Sequence, residues 1–337
     1  MIKIPLAKIW NSINYALFVS FFPLLVAGPI ERATHLLPQI KKKRHFNYSQ
    51  SVDGLRQIVW GLFKKIVIAD QCAHYANAIF DHYNEHSGST LVIGALLFSF
   101  QIYGDFSGYS DIALGTARLF GIELLKNFSF PYFSRDIAEF WRKWHISLSS
   151  WFRDYLYIPL GGSRVGMWMK MRNTFIIFLV SGFWHGANWT FIIWGTLHAL
   201  YIMPSIILNT HRNNLNSIAA GKYLPTFKEF IAIVFTFSLT TFAWIFFRSE
   251  SLSQAFGYIS GIFSASLFTF PEILPKKVFL FLLLFLCIEW FGRENKHGLE
   301  KLGLTWPRYA RLALYYFLIF FSLYYSGTEQ QFIYFQF

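Results

Sequence analysis

Long apolar runs separated by short basic stretches set the rhythm of this chain. The strong runs, residues 12–29, 229–247, 277–292 and 311–326, each hold 16–19 residues. That is close to the roughly 20 that a helix needs to cross about 30 Å of hydrocarbon. A longer run, 174–209, predicts two short crossings joined by a break near Gly186, Ala187 and Asn188. Runs at 55–72 and 91–120 are weaker because Gly, Ser and Asp dilute them. Within the second, Gly104, Gly108, Gly115 and Gly121 stand among aromatics, as expected where helices approach closely in a bundle. Asp105 and Asp111 are costly in lipid, so they are expected to face protein or water, Asp105 bonding inside the bundle and Asp111 pairing with Arg118.

Residues 136–158 have a different pattern. Phe140, Trp141, Trp144, His145, Leu148, Phe152 and Tyr155 recur at three- and four-residue steps, while Arg142, Lys143, Ser149, Ser150, Arg153 and Asp154 lie mainly off that stripe. The pattern predicts one amphipathic helix, interfacial or re-entrant, ended by Pro159 and the Gly161–Gly162 pair.

Composition turns this rhythm into a fold class. With 54% apolar, 21% aromatic and only 14% charged residues, the chain reads as an all-α, polytopic membrane bundle, a single domain over residues 1–337. The net charge of +12 falls in runs between the apolar segments, among them 41–45 and 293–311. This is the loop pattern of the positive-inside rule, and it argues for a multi-pass protein of the cytoplasmic cell membrane and against nucleic-acid binding. Placing 161–173 in the cytoplasm puts His185 roughly 16 Å along a helix begun at residue 174, near mid-membrane. The same count puts the C-terminal FIYFQF on the outer side. No leader cleavage pattern follows the first apolar run. Cys72 and Cys287 are expected to be buried, inert thiols.

The chemistry-bearing residues are few. His185 follows Trp184 and precedes Gly186, Asn188 and Trp189. Walled by the two tryptophans, with Asn188 to fix its tautomer, it is the leading general base; the competing reading is a packing histidine. His145, on the aromatic stripe, is second, and His198 is expected to be structural, facing away from His185. Asp105, Asp111 and Asp154 are possible acid partners, with Arg153 or a neighbouring helix the other reading for Asp154. Histidines 35, 45, 74, 82, 86, 211 and 297 are expected at the surface. No Ser-His-Asp or Cys-His order, metal spacing or phosphate loop is evident, so a base without a protein nucleophile suggests that a substrate hydroxyl attacks.

The block FQIYGDFSGYSDIALGTARLFGIELLKNFSFPYFSRDIAEFWRKWHISLSSWFRDYLYIPLGGSR (100–164), with FWHGANWTFIIWGTLHAL (183–200), VSFFPLLVAGPIER (19–32) and FIYFQF (332–337), strongly resembles the membrane-bound O-acyltransferase family. Within it the chain is more similar to the bacterial branch that O-acetylates alginate and peptidoglycan than to the teichoic-acid D-alanylation branch. The resemblance implies a central tunnel or funnel, His185 as catalytic histidine and His145 as a second functional histidine. It also implies a donor such as acetyl-CoA or another acyl thioester arriving from the cytoplasm, with no bound cofactor or metal. A polysaccharide acceptor and an acetyl-transfer partner protein are expected outside. Trp141, Trp144, Trp184, Asn188, Asp105 and Arg153 are the expected pocket and donor-binding residues, and the basic 135–172 region is expected to hold donor phosphates. Complete members of the branch carry further membrane segments before VSFFP, so the domain is expected to be N-terminally truncated. A transporter with an intramembrane His/Asp relay, or a non-catalytic scaffold, remains an alternative reading.

Overall fold

A chain this rich in helix formers and apolar stretches satisfies its backbone within helices, as a hydrocarbon environment requires. The computed structural model describes residues 12–327 and 330–333. Among these the regular elements are all helical. In order they are α1 (Ser12–Val19), α2 (Ala33–Lys41), α3 (Tyr48–Leu62), α4 (Asp70–Asp81), α5 (Gly88–Leu119), α6 (Ile137–Lys143) and α7 (Ile146–Phe152). There follow α8 (Met167–His185), α9 (Trp189–Ile207), α10 (Phe227–Arg248), α11 (Leu252–Ile262), α12 (Lys276–Gly292) and α13 (Arg308–Tyr324). By length and hydropathy α5, α9 and α10 are long and apolar enough to cross a membrane.

Side chains close the helix ends as the sequence allows. Asn47, Asp136, Asn188 and Ser251 accept backbone N–H groups at the starts of α3, α6, α9 and α11, and Thr226 forms a reciprocal capping box with Glu229 at α10.

The centre is α5, running antiparallel to one long rod made of α3, a π-helical stretch over Phe63–Ala69, and α4. Glycines make this contact possible. A Cβ placed on Gly61 would meet the Gly108 carbonyl at 2.6 Å, and one on Gly108 the Gly61 carbonyl at 2.8 Å. The close approach lets Lys64 reach Asp111 at 2.5 Å and Lys65 reach Asp105 at 2.8 Å, which offsets the cost of charge in an apolar core. Around this pair a core of large rings gathers, including Trp60, Phe98, Phe140, Trp194, Trp244 and Phe285.

Several expectations change. The run 12–29 is not one span: α1 stops at Val19, Pro23 sits in a single 3₁₀ turn, and α2 starts only at Ala33. The amphipathic helix predicted over 136–158 is two short helices, α6 and α7, followed by a π turn at Arg153–Tyr157. Asp111 does not pair with Arg118, which bonds Asp53 and Glu123 instead. Cys72 is buried, but Cys287 is exposed. His297 is not a surface residue; it is 2% exposed, with Nε2 3.0 Å from Asp53. The last residues of FIYFQF, 334–337, lie outside the described residues, as do 1–11.

The predicted break at 186–188 is present: α8 ends at His185 and α9 begins at Trp189. Gly186 has φ 157° and ψ 160°, a region essentially reserved for glycine. A Cβ there would also lie 2.7 Å from the Phe191 ring. α8 begins at Met167, earlier than residue 174.

Candidate active site

Two helix joints place the two histidines. His185 is the last residue of α8, where Gly186 turns the chain, so its imidazole projects from a helix end. His145 occupies the joint between α6 and α7 with φ 42°, a left-handed conformation that costs a non-glycine residue about 1 kcal/mol or more. That joint is held from outside. The loop preceding α6 donates Ser129 N–H to the Lys143 carbonyl at 3.0 Å and accepts Ile146 N–H at the Asn127 carbonyl at 2.9 Å. Those bonds satisfy backbone groups that a continuous helix would have paired internally.

Both imidazoles face one cavity of about 220 Å³. Its walls are Ile102 and Phe106 of α5, Trp141, Trp144 and Leu148 of α6 and α7, Ser181 and Trp184 of α8, Trp194 of α9, Trp244 and Phe247 of α10, and Ile333. Among these lining residues His145 and His185 alone are ionisable. Rings fix both imidazoles: His185 meets Trp194 edge-on at 5.2 Å and Phe247 at 5.0 Å, and His145 meets Phe106 at 4.7 Å. His145 is buried, whereas His185 keeps partial exposure beside the exposed Trp184. The arrangement offers two imidazoles in a largely apolar, ring-walled space, with the Ser181 hydroxyl as the other side-chain oxygen on its walls and no carboxylate among the lining residues.

The other expected site residues divide. Trp141, Trp144 and Trp184 line the cavity. Trp189 does not wall His185; it is 71% exposed. Asn188 caps α9 through Thr190 N–H and donates to the Glu250 carbonyl at 2.8 Å, so it holds the joint and not the imidazole. Arg153 is exposed and bonds Asp154 at 2.9 Å, away from the cavity wall. Asp105 lies outside the wall too, bonded to Lys65 and to the backbone N–H of Ile333 at 2.7 Å. His198 is buried behind Trp194, accepting the Trp141 indole N–H at Nδ1 over 3.2 Å, which agrees with its structural reading.

Sequence reasoning missed Ser181, Trp194, Trp244 and Phe247. The signal was available for Ser181, one helical turn before His185 and hence on the same face. Trp244 and Phe247 belong to a distant helix, and nothing local marks them. Also missed is a second, polar cavity of about 20 Å³ between α3, α5 and α12. It is lined by Gln57, Lys64, Asp111, Lys126, Asn127, Glu289 and His297 among others. Glu289 is 3% exposed there and accepts from Tyr103 at 2.6 Å and Trp60 at 3.1 Å.

Comparison with known proteins agrees with the sequence resemblance. The chain is 45% identical over 252 residues to the peptidoglycan O-acetyltransferase of Helicobacter pylori, covering 74% of this chain and 46% of that protein. It is 34% identical over 351 residues to a probable alginate O-acetylase of Pseudomonas putida, covering 97% of this chain and 69% of that relative. A teichoic acid D-alanyltransferase of Bacillus subtilis is more distant, 28% identical over 250 residues. The chain spans about half the length of the first of these relatives. The sequence model of the membrane-bound O-acyltransferase family matches residues 5–249, and the chain belongs to that family.

Proposed function

We propose that this chain is a membrane O-acyltransferase that transfers an acetyl group from a thioester to hydroxyls of a polysaccharide outside the cell. The observation that carries the reading is the pairing of His145 and His185, from separate helix joints, in one ring-walled cavity with no other ionisable group on its described walls. The names of the relatives, which act on peptidoglycan and alginate, supply the acceptor class.

In the proposed reaction His185 accepts the proton of an acceptor hydroxyl as that oxygen attacks the thioester carbonyl. The tetrahedral intermediate collapses with cleavage of the C–S bond, and the imidazolium returns the proton to the departing thiolate. Ester and free thiol are the products, so atoms and charge balance without a further reactant. His145 orients the carbonyl end of the donor, and the Trp144, Trp194 and Trp244 rings exclude water that would hydrolyse it. The cavity is then one part of a tunnel across a multi-pass bundle in the cytoplasmic membrane. Acetyl-CoA or another acyl thioester enters from the cytoplasm, and a partner protein receives the acetyl group outside. Arg135 and Lys143 are engaged with Glu139, and Arg142 with the His211 and Asn214 carbonyls. The exposed Arg153, Arg164 and Arg172 are assigned to the donor phosphates, for which Arg153 exchanges Asp154 and Arg172 exchanges Asn173.

The test is transfer of labelled acetyl from acetyl-CoA in membrane vesicles. His185→Ala is expected to stay in the membrane, folded, and to lose transfer; full transfer by that variant would overturn the assignment.

A further inference from the structure

The cavity wall includes a residue from beyond the last helix of the bundle. Beyond α13, which ends at Tyr324, residues 330–333 lie against α5 and the π-helical stretch. Ile333 is 1% exposed and lines the cavity with Ile102 and Phe106. Its N–H donates to Asp105 Oδ2 at 2.7 Å. Lys65 pairs with Asp105 and with Asp70, each at 2.8 Å, and donates to the Gln330 carbonyl at 3.2 Å. The Phe332 ring lies 5.8 Å from the Lys65 ammonium and 5.6 Å from the Tyr109 ring.

An ion cluster inside an apolar bundle is expensive to maintain. This one holds two backbone groups of that segment, so its effect reaches the cavity through Ile333. We infer that residues 330–333 form a strap, docked on Lys65 and Asp105, whose Ile333 side chain closes the α5 side of the histidine cavity and limits the length of the acyl group carried there. The inference rests on the proposed reading of that cavity as the acyl-transfer site. Asp105 and Lys65 are positioning residues in this arrangement; neither touches the reacting atoms.

Two measurements test it, both on the full chain in native membranes. Acetyl-, propionyl- and butyryl-CoA are supplied to vesicles, and the ratio of butyryl to acetyl transfer is compared among variants. Ile333→Ala is expected to raise that ratio about tenfold, since one methylene of pocket space discriminates by 10-fold or more. Ile333→Val is expected to fall between. Asp105→Ala should shift the ratio in the same direction, and Asp105→Asn less, because its amide oxygen still accepts the Ile333 N–H. An unchanged ratio in Ile333→Ala overturns the strap. His185→Ala run in parallel separates the two failures: transfer retained there overturns the catalytic reading, while transfer lost there with an unchanged ratio overturns the strap alone. The second measurement is independent of donor identity. Ile333→Cys in a Cys287→Ser background should react slowly with N-ethylmaleimide, and about tenfold faster once Asp105→Ala releases the strap. Equal rates with and without Asp105→Ala overturn the docking.

Discussion

The two cavities of this bundle surround their ionisable groups differently. In the polar cavity Lys64 meets Asp111, His297 meets Asp53, and Glu289 is held by Tyr103 and Trp60. In the ring-walled cavity the imidazoles of His145 and His185 share their space with aromatic and aliphatic walls and a single serine. A charge with a fixed partner contributes to holding helices together; an imidazole on the wall of a cavity is placed to meet what enters it. Similar residue types are therefore tied into the packing in one cavity and turned toward the space proposed for chemistry in the other.

If this contrast is right, the largest effect belongs to His185→Ala, with a loss of about 1,000-fold in transfer rate at unchanged thermal stability, the scale of losing a general base. Initial rates and a melting curve on the same preparation check both halves. Lys64→Met should do the reverse. Leaving Asp111 buried without its cation is expected to cost about 3 kcal/mol of stability, read from the melting temperature in detergent, while turnover per folded molecule stays near wild type. A Lys64→Met protein that melts normally but does not turn over would erase the distinction between the cavities. Gly186→Ala tests the joint itself. The new Cβ must displace the Phe191 ring from a backbone conformation that disfavours alanine, a strain of about 1–3 kcal/mol. Both stability and rate should fall, with the rate falling further because His185 is the adjacent residue.

The smallest effect is a control far from either cavity. Glu272 accepts from Ser87 N–H, Ser87 Oγ and Thr90 Oγ1 at the start of α5, and these bonds hold its carboxyl down from 4.5 to about 2. Because the folded-state value is depressed, the stabilisation is complete above about pH 4.5 and is lost as pH falls toward 2. Glu272→Gln should flatten that acid limb in a series of melting curves and leave transfer untouched.

Much of the bundle was legible because local rules and tertiary structure agree. The break at 186–188 follows from Gly186 and the capping Asn188, and Gly104, Gly108 and Gly115 announced a close helix contact, whereas Gly121 lies past the end of α5 in a left-handed turn. The break at His145 was not legible. Nothing in Trp144-His145-Ile146 discourages a helix, and the backbone bonds that open it come from Asn127 and Ser129, in the irregular loop that precedes α6. The α1 span failed for a local reason that apolarity masked: Pro23, Gly28 and Pro29 stop regular structure in a stretch whose composition alone suits lipid. Asn188 shows the same competition at the site, since its side chain is taken by a helix terminus and not by the imidazole.

Asn127 ties these threads together. Its carbonyl opens the His145 joint, its side chain donates to Ser110 of α5 and accepts from Ser147 of α7, and it borders the polar cavity. The aim of His145 is thus set in part by a residue outside the wall of the histidine cavity. Among related chains, that aim is open to change at this neighbouring position while both histidines stay fixed.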